Sequence, residues 1–344
     1  MKQAARVRWR ALGFVALSVA CVATATGYVL HTRARHHAEV RAGAVMPPAP
    51  PSSVAEVAGR PHVLLRNLSS AAEAGFAAVA PLSAPGGPRQ ITGYSCLRLH
   101  MAGGQGLCLA EDMDDPFGAP YRARIFGPDF TTLKELPLAG LPSRARVSPD
   151  GRLGASTVFV NGDSYAAVGA FSTRTTIYDM TAGTSLGDLE SFEVYKDGKR
   201  IQSVDFNFWG VTFARSQPGR FYATLGTGGH TYLVEGDVAT RRADVLRDGV
   251  ECPSLSPDGT RIAFKQQVGG GGLSEVTWRL SVLSLDTLVE HQLAETRSVD
   301  DQAEWLDDGN VLYSVGSDTW VVPADGSGAP RLFAPRAESP AVVR

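Results

Sequence analysis

From about residue 60 onward, short apolar runs alternate with polar turns. Runs of this length fit β-strands better than helices. Two of the turns, residues 148–151 and 256–259, read Ser-Pro-Asp-Gly, and residues 306–309 read Leu-Asp-Asp-Gly. An arginine or asparagine and another apolar run follow each turn. Because Pro presets φ and Asp and Gly accept unusual dihedrals, each phrase predicts a hairpin turn between two strands.

Hairpins that return at intervals of roughly 40 to 50 residues are typical of a β-propeller, in which each four-stranded blade is one repeat. The pattern predicts an all-β, six-bladed β-propeller over residues 61–344. Residues 62–67, 75–80 and 89–91 look like a first blade without its inner strand. Since residues 338–342 align with 251–255, we expect the C-terminal strand to complete that blade and close the ring.

The N-terminus predicts membrane attachment. Residues 1–10 are basic, and residues 11–30 form an apolar run of about 30 Å in a helix, enough to span the hydrocarbon core. We interpret this run as a transmembrane signal anchor with residues 1–10 in the cytoplasm. Cleavage after residues 23–25 or lipidation at Cys21 remain as alternatives. Each places the propeller outside the cytoplasm, behind a Pro-rich linker over residues 31–60.

The charge is unevenly distributed. The chain has 33 basic and 35 acidic residues, of which residues 1–44 hold seven basic and one acidic. Residues 45–344 therefore carry 26 basic and 34 acidic side chains, a net charge of −8. An acidic folded portion argues against nucleic-acid binding, which requires a positive surface.

The cysteines predict one disulfide. Cys96 and Cys108 flank the turn at Gly103 and Gly104, and a hairpin centred near residue 102 would set them opposite each other. The predicted compartment is oxidising, so we expect a Cys96–Cys108 bridge and a buried free thiol at Cys252.

The repeat phrase resembles that of the TolB-like six-bladed propeller family, in which Ser-Pro-Asp-Gly is followed by a basic residue and Ile-Ala-Phe. Residues 253–264 match best, 148–151 and 305–309 in part, and the resemblance covers roughly residues 60–344. It implies an envelope-located, protein-binding propeller. In place of the α/β domain that precedes the propeller in periplasmic TolB, this chain has one apolar segment and a linker, so a role in the Tol–Pal system is not implied.

One set of side chains could carry chemistry. Glu251, Asp301 and Glu338 align at the entrance to the inner strands of blades five, six and one, and three carboxylates there could bind a hard cation such as Ca²⁺. Alternatively, they cap the loops that lead into those strands and have no further role. We expect no cofactor, with Ca²⁺ as the alternative.

No Gly-x-Ser-x-Gly nucleophile motif and no phosphate-binding loop occurs in the sequence. We therefore favour a non-enzymatic, membrane-tethered propeller that binds a protein or cell-envelope component outside the cytoplasm. Two alternatives stay open: a lactonase-like hydrolase with a metal at the channel mouth, and a sensor module whose channel binds a small molecule or peptide.

Overall fold

The computed structural model describes residues 17–24, 26–28, 31, 51–112, 119–162, 171–269 and 276–344. The chain divides into two units, Met1–Met46 and Pro47–Arg344. In the first unit, residues 17–24 and 26–28 are helical. No helix among the described residues has the length and apolar character that crossing a membrane requires. Residues 1–10 lie outside the described residues, and so do part of the predicted segment over residues 11–30 and most of the linker.

In the described part of the second unit, a short helix, α1 (Pro51–Ala58), is followed by six sheets. The sheets are the blades of a propeller, and they confirm the predicted fold class. The first three blades, each written from the inner to the outer strand, are as follows: blade one, β26 (Ala337–Val343), β1 (His62–Asn67), β2 (Phe76–Pro81) and β3 (Gln90–Ser95); blade two, β4 (Arg98–Ala102), β5 (Gln105–Glu111), β6 (Tyr121–Phe126) and β7 (Thr132–Leu138); blade three, β8 (Leu141–Val147), β9 (Leu153–Asn161), β10 (Ser172–Asp179) and β11 (Thr184–Asp188).

Blade four has six strands and the last two blades have four each. A 3-10 turn, η1 (Leu189–Ser191), connects blade three to blade four. The strands, in the same order, are as follows: blade four, β14 (Asn207–Phe213), β15 (Arg220–Thr227), β16 (His230–Asp237), β17 (Arg242–Asp248), β12 (Glu193–Lys196) and β13 (Lys199–Ile201); blade five, β18 (Glu251–Leu255), β19 (Arg261–Gly269), β20 (Thr277–Ser284) and β21 (Glu290–Gln292); blade six, β22 (Glu304–Asp307), β23 (Asn310–Val315), β24 (Asp318–Pro323) and β25 (Arg331–Ala334).

The C-terminal strand closes the ring as predicted. β26 pairs antiparallel with β1, and Val342 lies opposite Val63. Blade one is thus built from both ends of the propeller, and the inner edge of β1 is covered. This arrangement removes an unpaired strand edge that would otherwise invite association.

The position of residues 196–199 in the chain, after the strands of blade three, predicts a hairpin in the outer region of that blade. The structure places β12 and β13 on blade four, where Glu193 of β12 pairs in parallel with Arg242 of β17. The turn η1, which precedes β12, is bonded to both blades. Its Glu190 carboxylate accepts hydrogen bonds from the backbone N–H groups of Thr175 in blade three, at 3.0 Å, and Phe208 in blade four, at 3.2 Å.

Apolar side chains fill the seams between neighbouring blades. Between blades three and four, for example, Ile177 packs with Phe208 and Phe221, all fully buried. On the surface, the turn of blade two touches that of blade three at Gly103, whose φ is 56°. A Cβ there would lie 2.3 Å from the Gly151 nitrogen, so only glycine fits.

Candidate binding site at the channel mouth

The six inner strands surround the propeller axis. At the end where inner strands turn into second strands, which we call the turn face, a cavity of about 410 Å³ opens on the axis. Every blade contributes to its lining, and we call this cavity the channel mouth. Its lining residues are Val342, Val343 and Arg344 of blade one; His100, Ala102, Gly103 and Gly104 of blade two; Arg146, Val147 and Pro149 of blade three; Thr212, Phe213 and Arg215 of blade four; Ser254, Leu255, Ser256 and Pro257 of blade five; and Glu304 and Trp305 of blade six.

Two buried side chains of the channel mouth, Arg146 and His100, and the partly buried Glu304 form one group. Arg146 donates a hydrogen bond to the Glu304 carboxylate, and its Nη1 lies 3.0 Å from His100 Nε2. The Val147 backbone N–H donates to His100 Nδ1 at 3.1 Å, and His100 Nε2 lies 3.5 Å from Glu304 Oε2. Burial and the Arg146 charge lower the pKa of His100. Burial alone would raise the pKa of Glu304, but Arg146 and His100 hold it at about 2.

The outer part of the channel mouth is apolar and cationic. Leu255 and Val343, both half-buried, contribute apolar surface. Arg215 is exposed and makes no ion pair or hydrogen bond within the described part of the chain. Arg344 is also exposed and donates to the Leu306 carbonyl. Apolar area with exposed arginine is typical of protein-binding surfaces.

The predicted metal-ligating residues lie toward the opposite end of the inner strands. Glu251 of β18 is directly opposite Lys265 of β19, with Oε2 3.9 Å from Nζ. Lys265 is completely buried and also pairs with the carboxylate of Asp300. Burial raises the pKa of Glu251. For Asp300, burial acts in the same upward direction, but the charges of Lys265 and Arg144 outweigh it and lower the pKa.

The other two predicted ligands also have partners of their own. Glu338 of β26 pairs with Arg66 of β1 at 2.5 Å and lies 3.8 Å from Arg98. Asp301 accepts backbone hydrogen bonds from Gln302, at 2.9 Å, and Ser314, at 3.3 Å. Within the described ranges no group of three or more His, Cys, Asp or Glu side chains could hold a metal ion. The structure therefore does not bring Glu251, Asp301 and Glu338 together as a ligand set.

Two of the three residues nevertheless share a local geometry. The residues that follow Glu251 and Glu338, namely Cys252 and Ser339, both have a φ of 50° and lie in strand irregularities. Asp301 precedes β22 and has no such neighbour. The sequence alignment therefore holds for blades one and five, and in both the acid faces a cation on the adjacent strand.

Sequence reasoning missed the basic partners of these acids. One signal was available in the inner strands, where basic residues stand two positions apart: Arg144 and Arg146 in β8, and Arg98 and His100 in β4. Since residues two apart share a face of a strand, each pair places two polar groups on one side. Charged residues at such positions in a strand with a buried pattern indicate an internal ion-pair network.

The structure joins Cys96 and Cys108 in a disulfide, with Cα atoms 5.5 Å apart. The predicted register is wrong, however. The hairpin is centred on Gly103 and Gly104, so Cys108 lies opposite Leu99, and Cys96 precedes β4. The bridge therefore links the segment before the hairpin to its second strand. Cys252 is a buried free thiol whose pKa is raised by burial, and Cys21 is exposed.

No protein-family model and no curated protein matches this chain. Solved structures do resemble it. TolB from Acinetobacter baumannii matches with a TM-score of 0.55 and 16% identity, over 83% of this chain and 67% of that one. A chain of a nidogen/laminin complex matches with a TM-score of 0.53 and 10% identity, over 82% of this chain and 97% of that one. The fold is thus that of a TolB-like six-bladed propeller.

Proposed function

We propose that this protein is a non-enzymatic propeller that is tethered to a membrane, lies outside the cytoplasm and binds a protein or cell-envelope component through its turn face. One observation carries the proposal: all six blades line one cavity on that face, and the exposed Arg215 and Arg344 are among its lining residues. Propellers are scaffolds for many activities, so the function follows from this site rather than from the fold.

The charges in the channel mouth support binding rather than catalysis. Arg146 and Glu304 neutralise each other beside His100, and the low pKa of Glu304 keeps it a carboxylate that cannot serve as a general acid near neutral pH. The exposed Arg215 and its apolar neighbours are then free to contact a partner. The resemblance to TolB and to a chain from a nidogen/laminin complex is consistent with protein binding at the level of the fold alone.

The tether is proposed from the sequence of residues 1–30, a basic stretch followed by an apolar run. A reporter enzyme that functions only in the cytoplasm, fused after Arg344, should be inactive. The same reporter fused to a variant that lacks residues 11–30 is the control and should be active. Activity of the first fusion would contradict the proposed topology.

Site-specific photo-crosslinking of the full chain in its native membrane tests the binding surface. Photoreactive residues at Pro257 and Arg344, which line the channel mouth, should each give a discrete adduct with the same partner. Leu133 and Leu332 are matched controls, since they lie on outer strands and are 48% and 50% exposed. Equal adducts at all four positions, or none at the channel mouth, would contradict the proposal.

A further inference from the structure

A second cavity, of about 380 Å³, opens on the turn face between blades three and four. We call it the groove. Phe213 and Arg215, at the end of β14, line both the groove and the channel mouth, so the two cavities adjoin along the turn face. Leu153 and Pro218 add apolar surface to the groove. A small molecule would fill one of the cavities, whereas an extended polypeptide can occupy both.

The acidic side chains of the groove are already engaged by their own turns. Asp150 Oδ1 accepts hydrogen bonds from Ser148 Oγ at 2.6 Å and from the Arg152 backbone N–H at 3.1 Å. Asp179 Oδ1 accepts from the backbone N–H groups of Thr181, at 2.9 Å, and Ala182, at 2.8 Å. These hydrogen bonds tie both carboxylates to their own turns.

The basic side chains of the groove are available by contrast. Arg152 is 78% exposed, and its Nε is 4.0 Å from Asp150 Oδ2, the limit of an ion pair. Exposed pairs of this kind contribute little to stability. Arg215 has no ion-pair or hydrogen-bond partner among the described residues. A guanidinium group binds a carboxylate with two parallel hydrogen bonds, so Arg215, together with Arg152, favours an acidic ligand at this position.

We infer that the groove and the channel mouth together bind an extended, acidic polypeptide segment of the partner, with a carboxylate at Arg215. This inference rests on the proposed function and refines it. An extended segment places alternate side chains on one side, so acidic residues can face Arg215 and Arg152 while apolar ones contact Leu153 and Pro218.

Selection from a phage-displayed library of random decapeptides on the purified full chain provides the test. We expect the selected peptides to be enriched in Asp and Glu, and to bind less tightly as salt concentration rises. Arg215→Ala should weaken the best peptide by roughly tenfold, the loss that follows removal of a charged hydrogen-bonding partner. Arg331→Ala is the control, since Arg331 is exposed on the outer strand of blade six.

A second pair of variants locates the peptide. Thr181 and Thr240 occupy equivalent turns, in which each backbone N–H donates to the side chain of an aspartate, Asp179 or Asp237. Only Thr181 lines the groove. Thr181→Trp should obstruct the groove and weaken binding roughly tenfold, whereas Thr240→Trp should leave it unchanged.

The outcomes separate this inference from the proposed function. Peptides that lose affinity with Pro257→Trp but not with Thr181→Trp would place the ligand in the channel mouth alone, and the groove would be excluded. Selected peptides without acidic enrichment, or a failure to select any, would overturn the inference. The photo-crosslinks at Pro257 and Arg344 would still report independently whether the turn face binds a protein.

Discussion

Glu338 of the last strand lies opposite Arg66 of the first, and its Oε1 is 2.5 Å from Arg66 Nη1. The two residues are 272 positions apart in the chain. Arg66 also donates from Nε to the Cys96 carbonyl at 2.7 Å, so the pair connects the closing strand to blade two. Ring closure therefore involves ionic contacts as well as the backbone pairing of β26 with β1.

Removal of residues 338–344 should destabilise the propeller far more than loss of an ordinary terminal tail. The deletion removes most of β26, including the fully buried Ala341, and exposes the inner edge of β1. We expect the melting temperature to fall by roughly 5 °C or more, given about 2–4 °C per kcal/mol for domains of comparable size. Deletion of Arg344 alone is the control. A melting temperature within a degree or two of the full chain would mean that β26 is not required for closure.

The oxidation state of the cysteines can be counted directly. In a Cys21→Ser variant, thiol titration under denaturing, non-reducing conditions should detect one free cysteine, Cys252, because Cys96 and Cys108 are bonded to each other. Reduction before titration should raise the count to three. Three free thiols without reduction would show that the disulfide does not form.

Glu190 should make the stability of the propeller depend on pH. Burial raises its pKa to about 7, although the backbone N–H groups of Thr175 and Phe208 oppose the shift. Because the folded pKa exceeds the ordinary value of 4.5, the folded state binds the proton more tightly than the unfolded state does. The stabilisation by protonated Glu190 is complete below pH 4.5 and is lost as the pH rises through about 7. Its magnitude is about 3 kcal/mol.

Glu190→Gln tests this dependence, because glutamine keeps an oxygen acceptor and has no proton to lose. The unfolding free energy of the variant minus that of the native protein should be larger at pH 8 than at pH 5, as measured by urea titration. Asp188→Asn, a change at a neighbouring carboxylate that accepts from Thr176 Oγ1 at 2.6 Å, is the control. An equal difference at the two pH values for Glu190→Gln would contradict the prediction.

Calcium should leave the melting temperature unchanged. Glu251 faces Lys265, Glu338 faces Arg66, and Asp301 accepts two backbone hydrogen bonds, so each carboxylate already has a partner. A cation that binds only the folded state would raise the melting temperature by mass action. We expect millimolar Ca²⁺ to shift the melting temperature of the native protein by less than about 1 °C. The double variant Glu251→Gln, Asp301→Asn should show an equally small shift. A calcium-induced rise of several degrees that the double variant lacks would favour the metalloenzyme hypothesis.

The sequence was informative about the fold because its strongest signals are local. The Ser-Pro-Asp-Gly turns recur: Ser148 Oγ and Ser256 Oγ each donate to the aspartate two residues later, at 2.6 and 2.5 Å. Such turns predict hairpins without knowledge of the tertiary structure. The hairpin β12–β13 was misassigned because its parallel partner β17 is distant in sequence, and periodicity does not reveal which sheet a strand joins.

The site was less predictable because its residues meet only across blades. The pairing of Glu251 with Lys265 depends on a register that strand irregularities shift, and the proximity of Arg146 to Glu304 depends on which blades face each other across the axis. Arg215 had no distinguishing sequence signal. Arg215 is a candidate binding residue because it lines two cavities, and those cavities exist only in the assembled ring.

The pairing of β26 with β1 also sets an order of events during synthesis. Blades two to six can each form from strands that are close in the chain, but blade one stays incomplete until the last seven-residue strand is available. Until then the inner edge of β1 is open to other partners. A chaperone that shields this edge would therefore act on the first blade to emerge and would be needed until β26 has been made.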